Sequence, residues 1–299
     1  MNKTENSILY IVLILAMAIW GLSWTNGKIL GQYNTTVPVL MTWRFLIAAF
    51  SMIMVLLARG TSIRFPSGGV FPVLASAVLL VLYNHFYFTG TRLGSAGAGG
   101  VLVTTLNPVL TFVLITVISR ERPAVKSLLG IFLGILGGSI IINIWQGGWA
   151  AVMSKGNYYF VLCASSWAFL TVISSRISRH MSTLTYSFWI YLISGSISFF
   201  FLKKGELISV FHLDFIFWIN LIAVSVGAMA FATTAYFIAT SRLGSQKASA
   251  FIFTVPVSAM LFSMLFLDES LKMNVLIGGL ISITAVYLIN SHDKIQNEK

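Results

Sequence analysis

The chain has 299 residues, 57% of them hydrophobic and only 9% charged, and its mean hydropathy is +0.89. That composition excludes an ordinary water-soluble domain. A formal net charge of +11 would suggest nucleic acid in a soluble protein. In a chain this apolar it points instead to cationic loops facing an anionic leaflet, so no nucleic-acid partner is expected. The single cysteine, Cys163, allows no intrachain disulfide and lies in an apolar run, which argues against redox chemistry.

A hydrocarbon core about 30 Å thick takes roughly 20 apolar residues per helix. Ten such stretches follow one another: 8–27, 37–58, 70–90, 95–118, 125–145, 157–176, 184–203, 215–238, 246–267 and 273–291. The first could pass for the core of a signal peptide, but nine more follow and no small-residue cleavage pattern separates them. In it Met17, Trp20, Gly21, Trp24 and Lys28 recur every three or four residues and share a face. Span 2 holds Arg44 well inside its length. Span 3 places Tyr83 and Tyr87 one turn apart, with Asn84 and His85 beside them. Span 4 opens on a run of glycines (94–100) that would let spans 3 and 4 approach closely around a tight turn. It then carries Thr104, Asn107, Pro108 and Thr111.

Span 5 steps through Gly130, Gly134 and Gly138, a small-xxx-small pattern of close helix contact, echoed in span 10 by Gly278 and Ser282. Packing within one molecule explains it, and a homodimer interface is the alternative. Span 6 carries Cys163, Trp167, Thr171 and Ser174, span 8 Thr233, Thr234 and Tyr236, and span 9 Pro256.

The end of the first five spans reappears in the second five. Arg92-Leu93-Gly94-Ser95 is followed by Pro108, Glu121 and Gly130; Arg242-Leu243-Gly244-Ser245 is followed by Pro256, Glu269 and Gly278. From proline to glutamate is 13 residues in both halves, and from glutamate to glycine 9 in both. Five spans is an odd number, so the second copy enters the membrane from the opposite side. The expected fold is all-α and membrane-integral: ten transmembrane helices as two inverted five-helix repeats, over 8–145 and 157–291. Inverted repeats of this kind build secondary transporters, with the substrate at the interface between them. Pro108 and Pro256 each remove a backbone hydrogen bond at matching points, which makes them candidate hinges.

Basic residues in short loops favour the cytoplasm. With the N-terminus inside, twelve of the nineteen Lys and Arg residues face the cytoplasm and six face out, leaving Arg44 in a span. Both termini are therefore expected on the cytoplasmic side.

Trp20-Gly21, Lys28, Pro38 and Trp43-Arg44-Phe45 look like the opening of an EamA domain, and the twice-occurring Arg-Leu-Gly-Ser, proline, glutamate and glycine series looks like its close. The chain resembles the EamA family of the drug/metabolite transporter superfamily along nearly its whole length, as two tandem domains. The second half departs from the pattern: at an offset of 147, Lys28 falls on Ser175 and Arg44 on Tyr191. The resemblance implies a ten-helix carrier of the bacterial inner membrane with both termini cytoplasmic. It implies small-metabolite substrates, often exported amino acids, and a central cavity lined mainly by helices 1, 3, 4, 6, 8 and 9.

All eight carboxylates fall in loops, tails or span ends. Pumps that carry protons on buried acids, and intramembrane aspartyl proteases, lack their residues here. The four histidines are scattered without ligand spacing, so no metal or other cofactor is expected. The chain also has no G-x-x-x-x-G-K-[ST] motif for nucleotide. It reads as a carrier, not an enzyme.

The candidate cavity lining is Trp20, Trp24, Tyr83, Asn84, His85, Tyr87, Thr104, Asn107, Trp167, Thr171, Thr233 and Tyr236. His85 is either a proton relay or a neutral histidine bonded to a neighbouring helix. Arg44 either draws a substrate carboxylate or pairs with backbone carbonyls, and Lys28 reads as an interfacial anchor. The expected function is alternating-access transport of a small organic metabolite, an amino acid or similar solute, with export as the direction. A drug exporter with a taste for bulky cations and a membrane receptor that moves nothing are the alternatives.

Overall fold

The structure is a computed structural model; it describes residues 3–65, 69–120, 125–153, 156–177 and 181–291. Among the described residues every regular element is helical. The first half contains α1 (Lys3–Gly31), α2 (Val37–Ala58), α3 (Val70–Leu93), α4 (Ala96–Ser119) and α5 (Val125–Ile142). A short α6 (Ile144–Met153) connects to α7 (Asn157–Ser174) and α8 (Thr183–Phe199). Then come α9 (Phe215–Ile222), a π-helical stretch (Ala223–Thr233) and α10 (Thr234–Leu243), which run on as one rod. The chain closes with α11 (Ser245–Ala250), α12 (Val255–Leu267) and α13 (Met273–Ser291).

Among the described residues, seven segments are long and apolar enough to cross a membrane: Ile8–Gly31, Val37–Ala58, Val70–Leu93, Ala96–Ser119, Val125–Ile142, Asn157–Ser174 and Phe215–Leu243. Helices α8, α12 and α13 occupy the other three expected positions. Helix starts follow local chemistry. The Ser95 hydroxyl accepts from the Ala98 amide (3.3 Å) to start α4, and the Asp214 carboxylate from the Phe217 amide (2.9 Å) to start α9. Such caps satisfy amides that have no partner within the helix.

Several elements differ from the sequence expectation, three of them in ways that local chemistry explains. Helix α5 stops at Ile142 instead of 145, because Asn143 adopts a left-handed backbone (φ 62°) and the chain restarts as α6. The loop after α8 contains a 3-10 turn, Glu206–His212, held by the Trp43 indole donating to the Leu207 carbonyl (2.9 Å). Span 9 is broken into α11, a 3-10 turn (Phe251–Thr254) and α12. Pro256 therefore lies in the first turn of α12, whereas Pro108 lies inside α4. A proline ring clashes with the carbonyl four residues before it, so the helix ends ahead of Pro256 and restarts where a missing N–H is no loss. The repeated proline thus produces two different backbones.

The two halves interlock. Helix α5 packs on α13, α2 on α8, and α4 on α12. The remaining main pairings come as exchanges: α3 with α7 and the π-helical stretch with α1; α4 with α7 and α12 with α1; α3 with α8 and the π-helical stretch with α2. Swapping the halves maps these pairings onto one another, whereas α4 on α13 has no matching α5 on α12 among the described residues.

Glycines permit the closest approaches. A Cβ at Gly278 would lie 2.6 Å from the Gly137 carbonyl oxygen, so Gly137, one residue from the Gly138 of the sequence pattern, makes the α5–α13 contact. The glycine-rich start of α4 serves other helices than expected. A Cβ at Gly100 would meet Ala259 of α12 at 2.6 Å, and one at Gly99 the Phe160 ring of α7 at 2.5 Å. Helix α4 is drawn to the second half by these residues more than to α3.

Candidate functional site

The C-terminal half of α1 brings Trp20 and Trp24 against α3, α4 and α7. Their rings meet others at distances suited to aromatic packing: Trp20–Trp167 5.2 Å, edge to face; Trp20–Tyr236 5.1 Å; Tyr83–Trp167 4.6 Å; Trp24–Tyr87 5.0 Å. Between them lies a crevice lined by Trp20, Ser23, Trp24, Tyr83, Val103, Thr104, Asn107, Trp167 and Ile252. Its free interior is about 20 Å³, room for about one water. The rings are drawn together here and leave no room for anything larger.

The polar groups of this crevice divide sharply. Ser23 donates to the Trp20 carbonyl (2.7 Å), Thr104 to the Gly100 carbonyl (2.5 Å), and the Trp20 indole crosses to the Ala228 carbonyl (3.1 Å). Asn107 is only 1% exposed, yet neither its amide nitrogen nor its oxygen has a partner. The Trp167 indole nitrogen also lacks a partner of hydrogen-bonding geometry. Buried polar groups are almost always satisfied, so an orphaned amide facing a crevice marks a place for a ligand or water.

Other expected residues form the layer behind. The Tyr87 hydroxyl donates to the Ser23 carbonyl. Thr171 donates to the Trp167 carbonyl (2.9 Å) and lies 3.3 Å from the Tyr236 hydroxyl, and Thr233 donates to the Ala228 carbonyl (2.9 Å). Asn84 accepts from Arg44 (2.9 Å) and donates to the Leu80 carbonyl (2.8 Å). Arg44 is buried, its guanidinium 5.0 Å from the Tyr87 ring centroid and 5.5 Å from that of Phe88. No carboxylate pairs with it among the described residues, and its Nε has no partner. A buried cation held by an amide and two rings leaves a positive field behind the aromatic crevice.

His85 is not gathered. It lies on the exposed face of α3, touching the Phe86 ring at 5.8 Å. With Tyr83, Asn84 and Tyr87 turned inward, the 100° step per residue carries His85 out. Lys28 reaches the end of α3, donating to the Gly94 carbonyl (2.8 Å) and more weakly toward that of Arg92 (3.4 Å). The sequence reading missed Ser23, Val103 and Ile252. Ser23 stands three residues from Trp20, on the same helix face, and that spacing was its signal.

Polar bonds tie the bundle where α1 ends. Asn26 donates to Asn220 (2.6 Å), Arg92 to the Thr35 carbonyl (2.8 Å), and the Tyr33 hydroxyl to Asp214 (2.6 Å). Partial burial and the bond to Asp214 push Tyr33 up from 10.0 to about 12, and the same bond holds Asp214 below the usual carboxylate range. A raised tyrosine favours its protonated form in the fold, so this stabilisation is present below pH 10 and is lost as pH rises to about 12. The lowered Asp214 adds stability that is lost in acid, as pH falls below the ordinary carboxylate range. Phenolate absorbance of wild type minus Tyr33→Phe should therefore show a step near pH 12 that moves down in Asp214→Asn.

A family model described as the EamA-like transporter family matches residues 7–143 and again residues 154–291. An uncharacterized transporter of Bacillus subtilis, YvbV, is 25% identical over 98% of this chain and 94% of its own length. An uncharacterized transporter of Archaeoglobus fulgidus is 27% identical over 95% of this chain and 97% of its own. Among solved structures, one crystal structure of a protein that is 18% identical superposes with a TM-score of 0.68, covering 95% of this chain and 97% of that one. That last likeness is one of fold.

Proposed function

The chain belongs to the EamA-like transporter family, and on that premise we propose that this multi-pass membrane transporter is a secondary carrier working by alternating access. Its substrate is a small organic metabolite, an amino acid or related solute with an apolar or aromatic body, and its direction is export. The orphaned amide of Asn107 within the ring of Trp20, Trp24, Tyr83 and Trp167 carries this reading. The rings take the apolar part of the solute, and the amide offers one donor and one acceptor to its polar part. The exchange of contacts between halves supports the inverted repeat of 8–145 and 157–291, with the crevice at its interface. The excess of basic residues in alternate loops supports cytoplasmic termini in an inner membrane.

Arg44 weighs against bulky cations: its unpaired charge lies one ring behind the crevice, at Tyr87. With His85 outside the gathered residues and every carboxylate outside the spans, the reading favours facilitated diffusion over proton coupling. Counterflow in liposomes tests it, using a panel of aromatic and aliphatic amino acids beside cationic dyes. Exchange of an amino acid, lost in Trp167→Ala and flat across pH, is the expected result. Exchange of the dyes alone would replace the substrate class, and no exchange of any solute by well-folded protein would remove the carrier.

A further inference from the structure

A second cavity, far larger, lies away from the aromatic crevice. It is bounded by the N-terminal part of α1, the C-terminal half of α2, the start of α8 and the π-helical stretch leading into α10. Its free volume is about 410 Å³, within the range of about 300–1,000 Å³ usual for ligand cavities. Leu9, Val12, Leu184 and Ile238 furnish apolar wall, while Val55 and Phe231 are exposed, so the cavity opens sideways onto the surrounding hydrocarbon. The polar side chains inside it are already engaged. Ser51 donates to the Ile47 carbonyl (2.8 Å), and Thr234 lies 3.2 Å from the Tyr191 hydroxyl and 3.6 Å from the Met52 sulfur. The interior therefore suits an aliphatic chain and offers nothing to a polar solute.

The mouth differs. Arg59 caps the C-terminus of α2 at the edge of the cavity. Its side chain is exposed and has no hydrogen bond or ion pair with any described residue. It stands at the end of the bundle where α1 begins, at the level where one leaflet carries its headgroups. A guanidinium there binds phosphate in two-pronged fashion, and a basic pocket between helices at headgroup depth is a site for anionic lipid.

We propose that this cavity binds an anionic phospholipid, one acyl chain lying along the apolar wall and the phosphate on Arg59. Charge complementarity at the mouth selects the head, and the sideways opening admits the tail from the bilayer. The occupant presses on the face of the π-helical stretch opposite the Ala228 carbonyl that receives Trp20.

Native mass spectrometry of the purified protein tests the site, with phosphatidylglycerol, phosphatidylcholine and oleate offered in equal amounts. Wild type should retain phosphatidylglycerol at least about fivefold over phosphatidylcholine, a preference that Arg59→Gln reduces to parity. Ala230→Phe fills the cavity and should remove the bound lipid, with Val226→Phe at its rim as the gentler variant if the first folds poorly. Equal retention of the two phospholipids by wild type, or an unchanged preference in Arg59→Gln, overturns the proposal. Oleate displacing phosphatidylglycerol overturns it as well, since the occupant would then be a free carboxylate. The readout is independent of transport, so it stands or falls apart from the carrier reading.

Discussion

Asn107→Ala should slow exchange of the transported solute by about ten- to a hundredfold while leaving the melting temperature unchanged or raised. The two effects have one cause. The Asn107 amide is buried in α4 with both polar atoms unpartnered, so truncating it takes no hydrogen bond from the folded protein. An unsatisfied buried polar group destabilises by about 1–3 kcal/mol, and its removal offsets the small void that alanine leaves. On the proposed function, the solute in contrast loses a hydrogen bond. One made to a charged group, such as an amino-acid carboxylate or ammonium, contributes about 1.5–3 kcal/mol, and each 1.4 kcal/mol is a factor of ten. Thr104→Ala is the contrast, since its hydroxyl is already held by the Gly100 carbonyl at 2.5 Å and has less to offer. Counterflow rates and thermal melts of the two variants decide the matter. A wild-type rate in Asn107→Ala, or a marked drop in its melting temperature, would mean that the amide is structural.

The helices were legible because a bilayer demands long apolar runs, and the repeat because its motif keeps fixed spacing. The grouping of Trp20, Trp24 and Trp167 around one crevice was legible in part, because Trp20 and Trp24 stand at helical spacing on one face of α1. The sequence reading placed His85 beside them for its chemistry. Helix rotation decides otherwise: the Arg44–Asn84 bond at 2.9 Å fixes the face of α3 that turns inward, and His85 lies off it. The π-helical stretch at Ala223–Thr233 has no signature in hydropathy, which responds to composition and not to winding. Nor did Pro256 announce that it would open α12, since Pro108 at the matching position sits within an unbroken helix. Glu121, the first-half member of the repeated motif, lies outside the described residues.

Glu269→Ala should reduce stability by about 2–4 kcal/mol, with Glu269→Gln intermediate between it and wild type. This glutamate joins the motif of one half to that of the other. Its carboxylate leaves the second half and closes the start of α4 in the first, accepting from the Ser95 hydroxyl (2.7 Å) and from the amides of Ala96 (2.8 Å) and Gly97 (2.9 Å). Those amides belong to the first turn of a 24-residue helix, where no intrahelical partner exists and the helix dipole favours negative charge. A cap alone contributes about 0.5–2 kcal/mol, and charge-assisted bonds are roughly twice as strong as neutral ones. Glutamine retains one accepting oxygen but no charge, hence its middle position. Ser95→Ala removes one of the three bonds and the longer cap to the Ala98 amide (3.3 Å), but it leaves both first-turn amides on the carboxylate, so it should lower stability less than Glu269→Ala does. Thermal melts in one detergent order the three variants, and an equal loss in all would mean that the loop is held by packing instead. The bond spans the halves, so its loss loosens the start of α4, the helix that carries both Thr104 and Asn107 into the crevice. Solute binding should therefore weaken in Glu269→Ala although Glu269 is not among the residues that line the crevice, and Glu269→Gln should recover part of both losses together.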